Sequence, residues 1–287
     1  MVIDFHAHTF PDKIAPAAVR KLGEMSHTRS FADGTVAGLS ASMEANGIDW
    51  SLVLPVATHE RQVVHVNDAS ARINEEWWDK GILSFGAMHP DFADWKNELS
   101  RVAQLGMKGV KIHPIYQNVD LDDIRYLRML DRCGELGLMV LTHAGRDIGY
   151  PDRDNCTPRM TLNALRQVGP VQLILAHMGG WRHWDEVEEL LVDTAVCLDT
   201  SYCLGRMVTT ADGYYTEDVM NLMRHEQFIR MVRSFGKERI LYGSDSPWFS
   251  QNKGRDRILE VPLTPEEHAA ILGGNAQRLL NLPERKH

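Results

Sequence analysis

The chain has 287 residues, of which 44% are hydrophobic, and it carries a formal net charge of −8 at pH 7. This length suits one large α/β domain or two small ones, and the composition is that of a globular protein rather than a disordered one. The acidic excess argues against nucleic-acid backbones and anionic membranes as partners.

The cysteines and the first residues indicate the compartment. The sequence opens on the strand-like segment MVID, without the basic segment and apolar core of a signal peptide. No apolar run approaches the ~20 residues that a membrane-spanning helix needs. The four cysteines form no C-x-x-C pair. We therefore expect a cytoplasmic protein whose cysteines are reduced and lie in the core or in pocket walls.

Eight short apolar runs recur along the chain and alternate with longer amphipathic stretches. They are rich in Val, Ile and Leu, which is typical of strands buried on both faces of a parallel sheet. In chain order, the predicted strands cover residues 1–7, 51–56, 82–88, 109–113, 138–143, 172–177, 195–199 and 239–245. This alternation predicts an α/β fold, a single-domain (β/α)8 TIM barrel over residues 1–287. A doubly wound open sheet is the rival, but the first strand lacks the G-x-G-x-x-G turn usual there.

Three of the intervening helices carry clear end signals. Residues 120–137 have acidic residues in the first turn and a final glycine, and residues 157–169 begin with Thr-Pro. Residues 263–274 begin with Thr-Pro-Glu-Glu and end in Gly-Gly. Such residues are typical of helix starts and stops.

Two connections between predicted elements are unusually long. They cover residues 9–50, after the first strand, and residues 200–217, after the seventh. In a barrel these loops lie at the carboxyl ends of the strands, where functional sites form. We therefore expect them to contribute to substrate selectivity.

Side chains that bind metals end several of the predicted strands. His6 and His8 end the first strand, and His143, His177 and Asp245 end the fifth, sixth and eighth. Residues two apart on a strand share a face, so His6 and His8 point the same way. Neutral imidazoles with a carboxylate suit zinc or another divalent first-row metal, with a position left open for water. The sequence therefore predicts a metal site at the mouth of the barrel.

These motifs resemble those of the amidohydrolase superfamily. The segments that carry the resemblance are H-x-H after the first strand, LTHAG at 141–145, LILAHMGG at 173–180, ILYGSDSPW at 240–248 and LTPEEHAAILGGNAQRLL at 263–280. The sequence is most similar to the amidohydrolase-2 branch, which includes aminocarboxymuconate-semialdehyde decarboxylase and related metal-dependent hydrolases. The similarity runs from residue 2 to residue 280 and identifies the superfamily rather than one reaction.

The resemblance implies a ligand set and two possible reactions. His6, His8, His143 and Asp245 would bind one divalent metal, which we expect to be Zn²⁺, and His177 and Asp245 would be the catalytic groups. The first expectation is hydrolysis of an amide, ester or lactone bond in a small carboxylate-bearing compound by a metal-activated water. The alternative is a non-oxidative decarboxylase on the same site. The resemblance also implies a homodimer. A third possibility is a metal-binding barrel without activity, which would not need a proton-transfer pair.

Lys111 and His113, on the fourth predicted strand, leave the number of metals open. Their segment VKIHP is also similar to that of dihydroorotases, whose lysine is carboxylated and bridges two metals. A second metal would then recruit His177. The other interpretation is that Lys111 binds a substrate carboxylate or pairs with an acidic neighbour. We favour it because the later motifs follow the single-metal branch.

Three residues just past strand ends are candidates for substrate binding. They are Arg146, whose guanidinium suits a carboxylate, and the aromatic residues Tyr116 and Trp248. A solvated loop arginine and ordinary packing of the aromatic rings are equally open interpretations.

Overall fold

The computed structural model describes residues 1–211 and 213–285 of the chain. These residues form two compact units, the first made of Met1–Val53 and Asp199–His287 and the second of Leu54–Leu198. That the whole chain is a single domain remains a prediction from the sequence. Among the described residues, no helix is both long enough and apolar enough to cross a bilayer.

The strands fall where the apolar runs predict them, but they are shorter. The described residues form β1 Ile3–Ala7, β2 Trp50–Val53, β3 Ile82–Ser84, β4 Gly86–Ala87, β5 Gly109–Ile112, β6 Met139–Thr142, β7 Leu173–Leu175, β8 Cys197–Asp199 and β9 Ile240–Leu241. Each of the eight predicted runs overlaps a strand, and the third run is divided into β3 and β4 at Phe85. All residues of these strands are buried, as expected for strands covered on both faces.

In the first unit, β1 lies between two parallel neighbours. It pairs with β2 through Ile3 opposite Trp50. On its other side, Phe5 N donates to Tyr242 O at 2.8 Å and Asp245 N donates to His6 O at 2.8 Å. The end of β1 and the segment that follows β9 therefore run side by side, which brings their terminal side chains to one place.

In the second unit, β4, β5, β6, β7 and β8 pair in that order, all parallel. The register sets Ile112 opposite Thr142 and Thr142 opposite Leu175. The next residues along β5 and β6 are His113 and His143, so the register places these two histidines side by side.

Helices fill most of the connections. They are α1 Ala15–Ser26, α2 Val36–Asn46, α3 Val63–Glu76, α4 Trp95–Gln104, α5 Pro114–Gln117, α6 Ile124–Leu136, α7 Pro158–Leu165, α8 Trp184–Leu191, α9 Glu217–Met220, α10 His225–Phe235, α11 Gln251–Glu260, α12 Pro265–Ala269 and α13 Asn275–Leu280. Short 3-10 turns occur at Glu60–Gln62, Trp78–Lys80, His177–Gly179 and Lys237–Arg239.

Most of the end signals act as predicted. Asp123 caps α6 by accepting from Arg125 N, and Gly137, with φ of 67°, ends it. Thr157 caps α7 by accepting from Met160 N. These side chains satisfy backbone N–H groups that the first helical turn leaves without a partner.

The prediction that Gly-Gly ends the helix at residues 263–274 is wrong. After α12 the chain continues as one π-helical turn, Ala270–Gly274, and then as α13. A Cβ atom on Gly273 would lie 2.4 Å from the carbonyl oxygen of Met1. Glycine therefore serves here for close packing of the first residue against the helix, and not as a helix stop.

The two long connections contact each other within the first unit. Arg29 N donates to Val208 O at 3.0 Å, and Thr210 N donates to His27 O at 2.9 Å. Tyr215 Oη donates to Ser26 O at 2.7 Å. The loop after β1 and the loop after β8 thus support each other through backbone hydrogen bonds, as a short two-stranded contact.

Candidate metal centre

Three of the predicted ligands come together in the first unit. His6 Nε2 lies 3.1 Å from His8 Nε2 and 3.5 Å from Asp245 Oδ1. His8 Nε2 lies 3.2 Å from the same oxygen. Imidazole lone pairs and a carboxylate oxygen this close together repel one another unless a proton or a cation lies between them. Two imidazoles and a carboxylate are also a donor set that divalent first-row metals prefer, so these residues fit a metal ion.

The backbone around Asp245 explains how it reaches the two histidines. Its amide donates to His6 O, which fixes it beside the end of β1. Its φ is 68°, in the left-handed region that costs a non-glycine residue about 1 kcal/mol. His177, the other residue predicted to be catalytic, is also left-handed, with φ of 58°. Such backbone conformations are concentrated at functional sites.

Gly243 allows the close approach of the two segments. A Cβ atom there would lie 2.7 Å from His6 Cβ and 3.4 Å from Ser201 Cβ. No local pattern in the sequence marks this residue, because the contact joins segments far apart in the chain.

Asp4 lies two residues before His6 on β1 and is fully buried. Its carboxylate accepts from Ser244 N at 2.8 Å, Ser244 Oγ at 2.6 Å and Gln251 Nε2 at 2.8 Å. Burial raises the pKa of Asp4 to about 6, against these hydrogen bonds, which lower it. Asp4 was not among the predicted site residues, although its alternation with His6 and His8 on the strand was a usable signal.

A second group of polar side chains lies in the second unit, around His143. His143 Nε2 lies 3.2 Å from the carbonyl oxygen of Arg146, and His143 Nδ1 lies 3.2 Å from His177 Nε2. A carbonyl only accepts, so Nε2 of a neutral His143 carries the proton. Its Nδ1 then accepts from His177 Nε2. His143, predicted as a metal ligand, and His177, predicted as a catalytic group, are therefore in direct contact.

His113 stacks on His143, with ring centroids 4.3 Å apart and an interplanar angle of 13°. Its Nδ1 accepts from Tyr116 N at 3.3 Å, which puts the proton of neutral His113 on Nε2. That nitrogen lies 3.8 Å from Asp147 Oδ2. His113, His143 and Asp147 have donor atoms within 4.8 Å of one another, as a cation site would. The hydrogen bonds, however, favour His113 as a donor rather than a ligand.

The other predicted site residues differ in their surroundings. Lys111, on β5, is 1% exposed and so belongs to the interior. Tyr116 is half-buried and stacks on His113 with a centroid distance of 3.9 Å. The side chain of Arg146 is exposed, and its backbone, rather than its guanidinium, contacts His143. Trp248 is half-buried, and its amide donates to Asp245 O at 2.8 Å.

The chain belongs to the amidohydrolase family, whose model matches residues 3–282. Among the solved structures similar to it is 5-carboxyvanillate decarboxylase LigW from Sphingomonas paucimobilis, with 17% identity and a TM-score of 0.69 over 98% of this chain and 99% of that chain. An uncharacterized TIM-barrel protein from Bordetella bronchiseptica has 18% identity and a TM-score of 0.73 over 98% of each chain. A putative 2-pyrone-4,6-dicarboxylic acid hydrolase from Pseudomonas putida has 18% identity and a TM-score of 0.64 over 98% of this chain and 97% of that chain. No curated protein sequence matches the chain significantly.

These comparisons confirm the fold class and the superfamily expected from the motifs. The fold is the α/β TIM barrel. The protein is an enzyme of the metal-dependent amidohydrolase family.

Proposed function

We propose that the protein is a metal-dependent hydrolase that opens an amide, ester or lactone bond in a small carboxylate-bearing compound. The observation that carries the proposal is the convergence of His6 Nε2, His8 Nε2 and Asp245 Oδ1 at 3.1 to 3.5 Å. Decarboxylation is the second candidate, because the LigW structure, which is similar over 98% of this chain, is that of a decarboxylase.

His6, His8 and Asp245 would hold the metal, which we propose is one Zn²⁺ ion per chain. When bound there, a divalent metal lowers the pKa of water toward ~7 and polarises a carbonyl oxygen. His143 as a further ligand stays a prediction from the motif LTHAG. The single-metal proposal is supported by the hydrogen bond from Tyr116 N to His113 Nδ1, which favours a donor role for His113.

Asp245 and His177 would manage the protons. Asp245 has two carboxylate oxygens, of which Oδ1 faces the imidazoles of His6 and His8. Its other oxygen would take a proton from the attacking water and pass it to the leaving group. His177 Nε2 would donate a hydrogen bond to the oxyanion that develops on the substrate, in place of the bond that it makes to His143 Nδ1.

Lys111 and Arg146 would bind the substrate carboxylate. Lys111 is an interior lysine on the same strand as His113, and Arg146 follows His143 by three residues. Tyr116 and Trp248 would form apolar walls, as half-buried aromatic rings commonly do in ligand sites. A homodimer and a cytoplasmic setting also stay predictions from the sequence.

Metal analysis and activity assays test the proposal. We expect one equivalent of Zn²⁺ per chain, lost in His6→Asn and Asp245→Asn and retained in His65→Asn, which changes an exposed histidine of α3. Two equivalents per chain would refute the single-metal proposal. An unchanged metal content in both ligand variants would refute the ligand assignment.

A panel of small mono- and dicarboxylates with lactone, ester or amide bonds separates the two reactions. Hydrolysis releases an acid without CO₂, whereas decarboxylation releases CO₂ and leaves those bonds intact. Turnover that survives unchanged in both His177→Asn and Asp245→Asn would contradict the roles proposed for these residues, and CO₂ release would favour the second candidate.

A further inference from the structure

A buried carboxylate contacts His6 on the side of the ring opposite to the proposed metal. Asp199 Oδ2 lies 2.8 Å from His6 Nδ1, and the two side chains are 0% and 1% exposed. Asp199 is the last residue of β8, and it is 193 residues from His6 in the sequence. The other ring nitrogen, Nε2, faces His8 and Asp245.

We propose that Asp199 is the positioning residue that prepares His6 to bind the metal. It accepts the Nδ1 proton of His6 and so leaves the lone pair on Nε2, directed at the other ligands. This inference rests on the proposed function, since it needs a metal at His6. Carboxylates in this position orient ligand histidines and make their second nitrogen more basic.

Ser201 supports the same placement of the proton. Its amide donates to Asp199 Oδ1 at 3.0 Å, and its hydroxyl donates to the same oxygen. A serine hydroxyl has one proton, so toward His6 Nδ1, at 3.0 Å, Ser201 Oγ can only accept. Both Asp199 and Ser201 therefore present acceptors to Nδ1, and Nδ1 must be the donor.

The same contacts predict what an isosteric change does. In Asp199→Asn the two donors of Ser201 hold the amide oxygen at the position of Oδ1. The amide nitrogen then lies where Oδ2 was, and its N–H points at His6 Nδ1. A donor at that position forces Nδ1 to accept, so the proton of His6 moves to Nε2 and blocks the metal. Replacing a carboxylate by an amide beside a histidine is known to impose the wrong tautomer in this way.

Metal affinity and the tautomer of His6 test the inference. We expect Zn²⁺ to bind Asp199→Asn about 10- to 100-fold more weakly than wild type in a competition with a chelator. The matched control is Asp154→Asn, since Asp154 Oδ2 lies 2.8 Å from Nε2 of His183, which we do not assign to the metal. This control should bind Zn²⁺ with wild-type affinity.

The tautomer is read from nitrogen–proton correlation spectra of metal-free protein with labelled histidine, with His6 assigned through the spectrum of His6→Asn. We expect the proton on Nδ1 in wild type and on Nε2 in Asp199→Asn. A wild-type proton on Nε2 overturns the inference, even if the variant fails to fold. Unchanged affinity in Asp199→Asn, with weakened binding in His6→Asn, also overturns it and leaves the metal site intact. Wild-type affinity in His6→Asn would instead overturn the proposed function.

Discussion

Replacing Gly243 by alanine tests the close approach of two backbone segments at the proposed metal centre. The added Cβ would lie 2.7 Å from His6 Cβ and 3.4 Å from Ser201 Cβ. Non-bonded carbon atoms prefer a separation of about 3.5–4.0 Å, so the strand of His6 would have to move by close to the difference. Hydrogen bonds of 2.8 Å from Phe5 N to Tyr242 O and from Asp245 N to His6 O oppose that movement.

The expected change in the free energy of unfolding is the sum of two opposing contributions. An extra methyl group forced into a packed interior costs about 1–3 kcal/mol. The alanine also restricts the unfolded chain, which stabilises the fold by about 0.4–1 kcal/mol. We therefore expect Gly243→Ala to lower the free energy of unfolding by about 1–2 kcal/mol. Because the ring of His6 moves with its strand, Zn²⁺ affinity should also fall by about tenfold.

Urea unfolding of metal-free protein and chelator competition measure the two effects separately. The control is Gly254→Ala in α11, where the new Cβ would lie no closer than 3.5 Å to any neighbour. That change should stabilise the helix by up to about 1 kcal/mol and leave Zn²⁺ affinity as in wild type. If Gly243→Ala matched wild type in both unfolding midpoint and metal affinity, the steric reasoning would be refuted.

Three further predictions concern the interior and the metal. Asp4→Asn should lower the free energy of unfolding by about 1–3 kcal/mol, because its amide N–H groups would face the donors of Ser244 and Gln251; an unchanged urea midpoint would contradict this. Burial raises the pKa of Cys133 and of Cys156 to about 12, so neither thiol should react with a disulfide reagent at pH 8 until urea unfolds the chain, and rapid labelling of either in native protein would count against their burial. Zn²⁺ at 100 times its Kd should stabilise metal-free wild type by about 2.7 kcal/mol but stabilise His8→Asn less, as measured by thermal unfolding; equal stabilisation of both proteins would rule out His8 as a ligand.

Local patterns in the sequence were enough to predict much of the secondary structure. Each of the eight apolar runs overlaps a strand, and the caps Asp123 and Thr157 lie where their helices begin. The alternation of a strand also predicts that His6 and His8 point the same way, and their Nε2 atoms lie 3.1 Å apart. These features depend on neighbours a few residues away, which the sequence displays directly.

The Gly-Gly pair at 273–274 shows where local reasoning fails. Glycine after a helix is typical of a stop, but a Cβ on Gly273 would meet Met1 O, at the other end of the chain. The same holds for Gly243, whose neighbour His6 lies on a distant strand. A glycine needed for close packing looks the same in the sequence as one needed for a turn.

The sequence by itself determined which residue types end the strands, and so predicted a metal centre with His6, His8 and Asp245. Only the tertiary structure decided what surrounds those side chains, namely the carboxylate of Asp199 on His6 Nδ1 and the absence of a side chain at Gly243. The physical reason is that a tautomer and a steric contact depend on atoms a few ångströms away in space. In the chain, Asp199 is 193 residues from His6, and no local pattern connects the two.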